Sequence, residues 1–219
     1  MKLRLILFFI TSSVALVGVA PANAGNIALG ATVTIASGGS LKVNPGTPIS
    51  VVTDGIFTPE DTGFQSSTGV ADAVEWSAAY SGNPLVASGL VLDINLGGEF
   101  MITGAIVQAD DNDAYMLQYW DSTSGSWQLL YNVPAISYGY GLRTRPNADQ
   151  STYAPVGPVE TNMLQFSAVS GDVGDAVSEI QVEGTPVSSG TPEPSSLLLF
   201  GSGLVGLVGL VRRKIALRG

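Results

Sequence analysis

Between residues 26 and 184 the apolar side chains come in short β-branched or alternating runs, each closed by Gly, Pro, Asn, Asp or Ser. No stretch carries the period of an amphipathic helix, so this punctuation restricts the segment to an all-β fold. Strands are expected at Ala31–Ala36, Ser50–Thr53, Val74–Ser77, Gly89–Leu96, Met101–Gln108, Tyr115–Trp120, Trp127–Asn132, Met163–Ala168 and Ala176–Glu183. Asn95-Leu96-Gly97-Gly98 reads as a tight turn and Asp121 to Ser126 as a hairpin loop. Tyr138 to Pro158, rich in Gly and Pro, reads as a long loop. Strands at this spacing, with no internal repeat, pack as a β-sandwich or jelly roll.

The two ends follow another logic. Lys2 and Arg4 precede an apolar stretch from Leu5 to Ala20, and Ala22-Asn23-Ala24 closes it with small residues behind Pro21. This order predicts a signal peptide over 1–24, cut after Ala24. The stretch falls short of the ~20 residues of a spanning helix. At the other end, residues 185–196 are rich in Pro, Ser, Gly and Thr and read as a linker. Leu197 to Val211 is apolar and glycine-rich, and Arg212-Arg213-Lys214 follows. Residues 197–219 are therefore expected to form a transmembrane helix with a basic tail held on the cytoplasmic side of the inner membrane. From Ser195 to Val211 such a helix would be roughly 25 Å long.

Pro192-Glu193-Pro194, the apolar segment and the basic cluster stand in the order of the tripartite PEP-CTERM tail, and the C-terminus resembles that family. The resemblance implies processing by an exosortase in the inner membrane of a Gram-negative bacterium that makes exopolysaccharide. It also implies delivery from a membrane-anchored precursor to the cell surface or extracellular matrix. It gives an address and no activity.

Residues 25–184 are the size of one domain with a full core. The chain has no Cys and no His, which excludes disulfides, thiolate or imidazole metal sites, and catalytic dyads or triads built on those residues. Between residues 25 and 196 the basic residues are Lys42, Arg143 and Arg145, against eighteen acidic ones, a net charge of −15. Nucleic acid and polyanionic glycans are disfavoured partners; neutral sugars and cations are favoured. No pair of carboxylates stands apart as a hydrolytic pair, so the chain is read as non-catalytic. A structural matrix component without a discrete ligand is the alternative to a glycan-binding one, and a glycan-active hydrolase ranks below both.

The landmarks of the central segment resemble, in order, the discoidin and coagulation-factor type C domains and related galactose-binding-like modules. Asn26 to Ala31 matches the opening, Asp54-Gly55 the Asp-Gly loop, Trp76-Ser77 the Trp-Ser pair, and Leu92 to Gly97 the strand ending in Leu-Gly. Ile102-Thr103-Gly104 follows as the next strand, Tyr115 to Trp127 looks like the family hairpin, and Val177 to Val182 like the closing strand. The chain departs from the pattern at Met163-Leu164-Gln165-Phe166, where the family carries arginines, and in lacking the cysteine pair of animal members. The resemblance implies a discoidin-like jelly-roll sandwich.

It also implies a structural Ca²⁺ near Asp54 and Glu179, with Glu60, Asp61 and Thr62 as neighbouring ligand candidates. Ca²⁺ takes six to eight hard oxygens, which an acidic chain supplies. Tyr80, Tyr138, Tyr140 and Tyr153 are candidates for stacking on sugar rings, with Arg143 and Arg145 as donors to hydroxyls. Asp110-Asp111-Asn112-Asp113 departs from the EF-hand pattern and reads as a solvated loop tip.

Overall fold

The computed structural model describes residues 24–38, 41, 47–64, 72–77, 88–136, 141–172 and 174–187. The expected signal peptide up to Asn23, the sorting motif and the C-terminal helix lie outside the described residues. Among the described residues no helix is long and apolar enough to cross a membrane.

Among the described residues nine strands carry the fold: β1 Gly25–Asn26, β2 Thr32–Ser37, β3 Val74–Trp76, β4 Ser88–Asp110, β5 Ala114–Asp121, β6 Ser126–Val133, β7 Leu142–Arg145, β8 Ala154–Ser170 and β9 Asp175–Pro186. All pair antiparallel. The long strands β4 and β8 are each shared between two sheets. The first half of β4 lies between β2 and the second half of β8, which continues through β5 to β6. The second half of β4 has β7 and the start of β8 on one edge and β9 on the other, and β9 then pairs with β1 and β3.

The corner explains one departure from the sequence reading. Asn95 to Gly98 is not a hairpin turn; it is an irregularity inside β4, where the register to β8 shifts between Asn95 and Phe100. Gly97 has φ +77°, and its N–H bonds Asn95 Oδ1 at 2.9 Å. A left-handed residue bends the strand without ending it.

Two other expectations are corrected. Ser50–Thr53 is no strand but part of a 3-10 helix, Ile49–Thr53. Val51 N–H donates to Pro48 and Asp54 N–H to Val51, so the β-branched run satisfies its own backbone while burying Val51 and Val52. Inside the expected 138–158 loop, Leu142–Arg145 forms β7 against β4, and Ala154 already begins β8. The 121–126 hairpin stands as read, with Gly125 at φ +64° and Thr123 N–H on Asp121 Oδ1 at 2.8 Å.

The core lies between the sheets. Leu92, Ile94, Leu117 and Leu164 of the first meet Val107, Ile180 and Val182 of the second, all fully buried. Tyr115 stands at its centre, stacked on Phe166 at 5.2 Å and edge-on to Trp76 at 6.2 Å. Alternation along each strand produces this layer, and at about 25 cal/mol per Å² its apolar area is the main favourable term in folding. The outer face of the second sheet carries the buried polar residues Gln108, Thr144, Ser178 and Glu179 beside a second apolar cluster of Phe64, Ala73, Leu142 and Ala176.

Candidate functional site

A bulge builds the polar seam. Gln108 pairs with Glu179 and Ala109 with Val177, leaving Ser178 as the extra residue of β9. Ser178 and Glu179 therefore share one face. Ser178 Oγ donates to Gln108 Oε1 at 2.6 Å. The Gln108 amide also receives Thr58 N–H at 2.8 Å and donates to Thr58 O at 2.7 Å. Next to it, Glu60 accepts from Thr144 N–H at 3.1 Å, from the Thr144 hydroxyl, and from Gln150 Nε2 at 3.0 Å. Glu60 is thus fully engaged by protein donors.

Glu179 is different. It is wholly buried; Oε1 accepts Gly55 N–H at 3.1 Å, and Oε2 is buried with no hydrogen-bond partner. Burial is the main cause that pushes its carboxyl up to about 8; Asp54 adds to the rise, while bonds from Gln181 and Gly55 oppose it. Asp54 Oδ1 accepts Ile56 N–H at 2.8 Å, which holds the loop under Glu179.

Of the five residues nominated for calcium, the structure brings Asp54 and Glu179 together. Glu60 is held in the seam, Asp61 pairs with Arg143 at 2.6 Å, and Thr62 Oγ1 donates to Pro59 O at 2.6 Å. Among the described residues no three His, Cys, Asp or Glu side chains converge as a metal site. A buried carboxylate oxygen without a donor, next to a second carboxylate, is the chemistry a hard cation takes, and the pair Asp54 and Glu179 fits one. Further oxygens there would have to come from elsewhere in the loop.

The turn after β4 contradicts the solvated reading. Asp110, Asp111 and Asp113 are 3%, 0% and 0% exposed. Burial, reinforced by Asp113 and Asp111, pushes the Asp110 carboxyl up to about 8. Burial also raises Asp113, whose oxygens accept Asp172 N–H at 2.9 Å and the Tyr115 hydroxyl at 3.3 Å. Arg145 anchors the turn from below: it donates to the carbonyls of Ala109, Asp110 and Arg143, each at 2.8 Å, and lies 5.8 Å from the Tyr115 ring centre. No local sequence pattern marks this burial, because it depends on the pairing of β7 with β4, and Leu142–Arg145 lies in a Gly- and Pro-rich segment without periodicity.

The residues nominated for sugar binding are divided in the same way. Arg145 is 1% exposed and lies beneath the sheet, because its partner Val107 faces the core. It is therefore no rim donor. Arg143 is held by Asp61, and half-buried Tyr153 donates its hydroxyl to Gln181 Oε1 at 2.9 Å. Tyr80, Tyr138 and Tyr140 lie outside the described residues.

Among curated proteins none matches the chain. Similar solved structures include SpGH29, at 16% identity and TM-score 0.44 over 74% of this chain, which spans 28% of that one. CpGH89CBM32-4 of Clostridium perfringens, in complex with GlcNAc-α-1,4-galactose, is 15% identical over 76% of this chain and 99% of its own, TM-score 0.44. The family 32 module of C. perfringens NanJ, in complex with galactose, is 13% identical over 74% and 98%, TM-score 0.44. The all-β assignment rests on the strand pairing above, and these likenesses add nothing about what this chain binds. Residues 191–214 match the family described as the PEP-CTERM protein-sorting motif, so the chain carries that sorting signal at its C-terminal end.

Proposed function

We propose that this chain is an exported, exosortase-processed surface or matrix protein whose β-sandwich is non-catalytic and binds an uncharged glycan of the exopolysaccharide. The match over 191–214 carries the reading, since a sorting signal of this kind implies an exported, membrane-anchored precursor. The acidic sandwich supports the ligand class: residues 25–184 hold three basic residues against seventeen acidic ones, too few to hold a polyanion. Calcium is the proposed structural cofactor at Asp54 and Glu179; when bound it supplies a positive charge that removes the penalty of burying Glu179. It takes no part in chemistry.

The test is co-sedimentation of the purified exported chain with the neutral exopolysaccharide of its host, with calcium and with a chelator. Saturable binding supports the reading, and binding lost on chelation adds the cation. A second reading, a structural matrix component without a discrete ligand, is favoured by the internal engagement of Arg143, Arg145 and Tyr153. Absence of saturable binding in both conditions selects it.

A further inference from the structure

Trp120 and Trp127 face each other directly across β5 and β6, with ring centres 5.4 Å apart and planes at 72°. Tyr119 packs on the core, so alternation along β5 turns Trp120 to the outer face of the first sheet. Both tryptophans are half-buried there, and Leu129, two residues beyond Trp127 and opposite Gln118, is 54% exposed. From these apolar groups a polar row runs across the sheet: Gln118 pairs with Gln165, and Gln165 with Asp93. Gln165 Nε2 donates to Asp93 Oδ1 at 2.8 Å, fixing both side chains. The two described basic residues, Arg143 and Arg145, are both on β7 in the other sheet, so among the described residues no cation lies on this face.

From these observations we infer that the part of this outer face bearing the two tryptophans and the polar row is a glycan-binding platform, on which Trp120 and Trp127 stack on sugar rings and Gln118, Gln165 and Asp93 bind hydroxyls. The inference rests on the proposed glycan-binding function and gives it a site. Tryptophan offers a large apolar face for the C–H side of a pyranose, while amides and a carboxylate offer donors and acceptors to its rim. A carboxylate with no cation beside it among the described residues favours an uncharged chain over a uronate or sulfated one. From β6 to β4 is three strand spacings, about 14 Å, so the platform suits an oligosaccharide rather than one sugar.

The alternative role for such a cross-strand pair is to hold the hairpin. The two are separated in the unmodified full-length exported chain. It has three tryptophans, and Trp76 is 1% exposed, so acrylamide quenching reads Trp120 and Trp127. Neutral galactomannan and xyloglucan are the probes, with polygalacturonate as the anionic control. Binding of a neutral glycan is expected to lower the quenching slope at least twofold, and Trp127→Ala and Gln165→Ala each to weaken binding at least tenfold. Neutral-glycan binding with unchanged quenching and full affinity in Gln165→Ala overturns this site and leaves the broader reading standing. Binding of the uronate with no neutral glycan, or of none of the three, overturns the site and the broader reading together.

Discussion

The side-chain amide of Gln108 meets the backbone of Thr58 as a neighbouring strand would, accepting its N–H at 2.8 Å and donating to its carbonyl at 2.7 Å. A single buried side chain thus ties the loop after the 3-10 helix to the outer face of the second sheet. Gln108→Ala leaves Thr58 N–H without its acceptor, takes the shorter of two acceptors from the Ser178 hydroxyl, and removes one donor each from Thr58 O and Glu60, which keep Gln150. Unsatisfied buried groups cost about 1–3 kcal/mol each when they cannot reach water. Denaturant unfolding is expected to show a loss of about 2–4 kcal/mol, with the slope unchanged. A loss below about 0.5 kcal/mol would mean that the seam is not a structural tie.

Arg145 makes a second test of burial. It gives its donors to carbonyls and sits among Asp110, Asp111 and Asp113 with 1% exposure. Arg145→Met leaves the carbonyls of Ala109, Asp110 and Arg143 without its donors and removes the cation beside Asp110 and Asp111, with an expected cost of about 3–5 kcal/mol. Arg145→Lys keeps the charge but cannot fork to two carbonyls, and should fall between the variant and the parent. Equal stability of all three proteins in guanidinium titrations would contradict the assigned role.

Asp110 predicts the sign of a pH dependence. Its folded carboxyl is raised from 3.8 to about 8, chiefly by burial, with Asp113 and Asp111 adding to the rise. The charged and titratable neighbours are those two acids, Arg145 and Tyr115. Because the folded state keeps a proton that the unfolded chain has released, this contribution is full below pH 4 and is lost as pH rises toward 8. The slope is negative, at most about 1.4 kcal/mol per pH unit. Thermal unfolding at pH 5 and pH 8 is expected to show the parent losing more stability than Asp110→Asn between these conditions. An identical change in both would remove Asp110 as the cause.

Gly171 tests how tightly the acidic turn is closed. It has φ +151°, and a Cβ placed there would collide with the Asp113 carboxylate. Gly171→Ala must displace Asp113 from Asp172 N–H or bend the backbone, at an expected cost of about 2–3 kcal/mol. An unchanged melting temperature would show that the turn has room to spare.

Calcium should raise the melting temperature of the parent and leave Glu179→Gln unmoved, since an ion that binds only the folded state stabilises it by mass action. An equal rise in both proteins would remove Glu179 from the ligand set.

The all-β class and most strand positions were legible in the sequence because alternation reports which face is buried. Ser50–Thr53 was not legible: a β-branched run of that length looks the same whether it pairs with a strand or curls against the core. Nor was the corner at Gly97, since the same residues end a strand or bend it, and the pairing of β8 decides which. For the sites, local sequence showed acids but not their burial. Asp110, Asp111 and Asp113 read as solvent-facing because Arg145, the residue beneath them, comes from a segment with no period of its own. Asp54 and Glu179 were paired through family resemblance and are adjacent here, whereas Glu60 and Asp61 are claimed by Thr144 and Arg143.

The most direct test of the account replaces Pro192-Glu193-Pro194 with three alanines in the native host and follows the chain by cell fractionation and intact mass. The account predicts that the parent reaches the surface or matrix with its C-terminal segment removed, while the variant stays full-length in the inner membrane. Equal release and equal mass for the two proteins would contradict exosortase sorting.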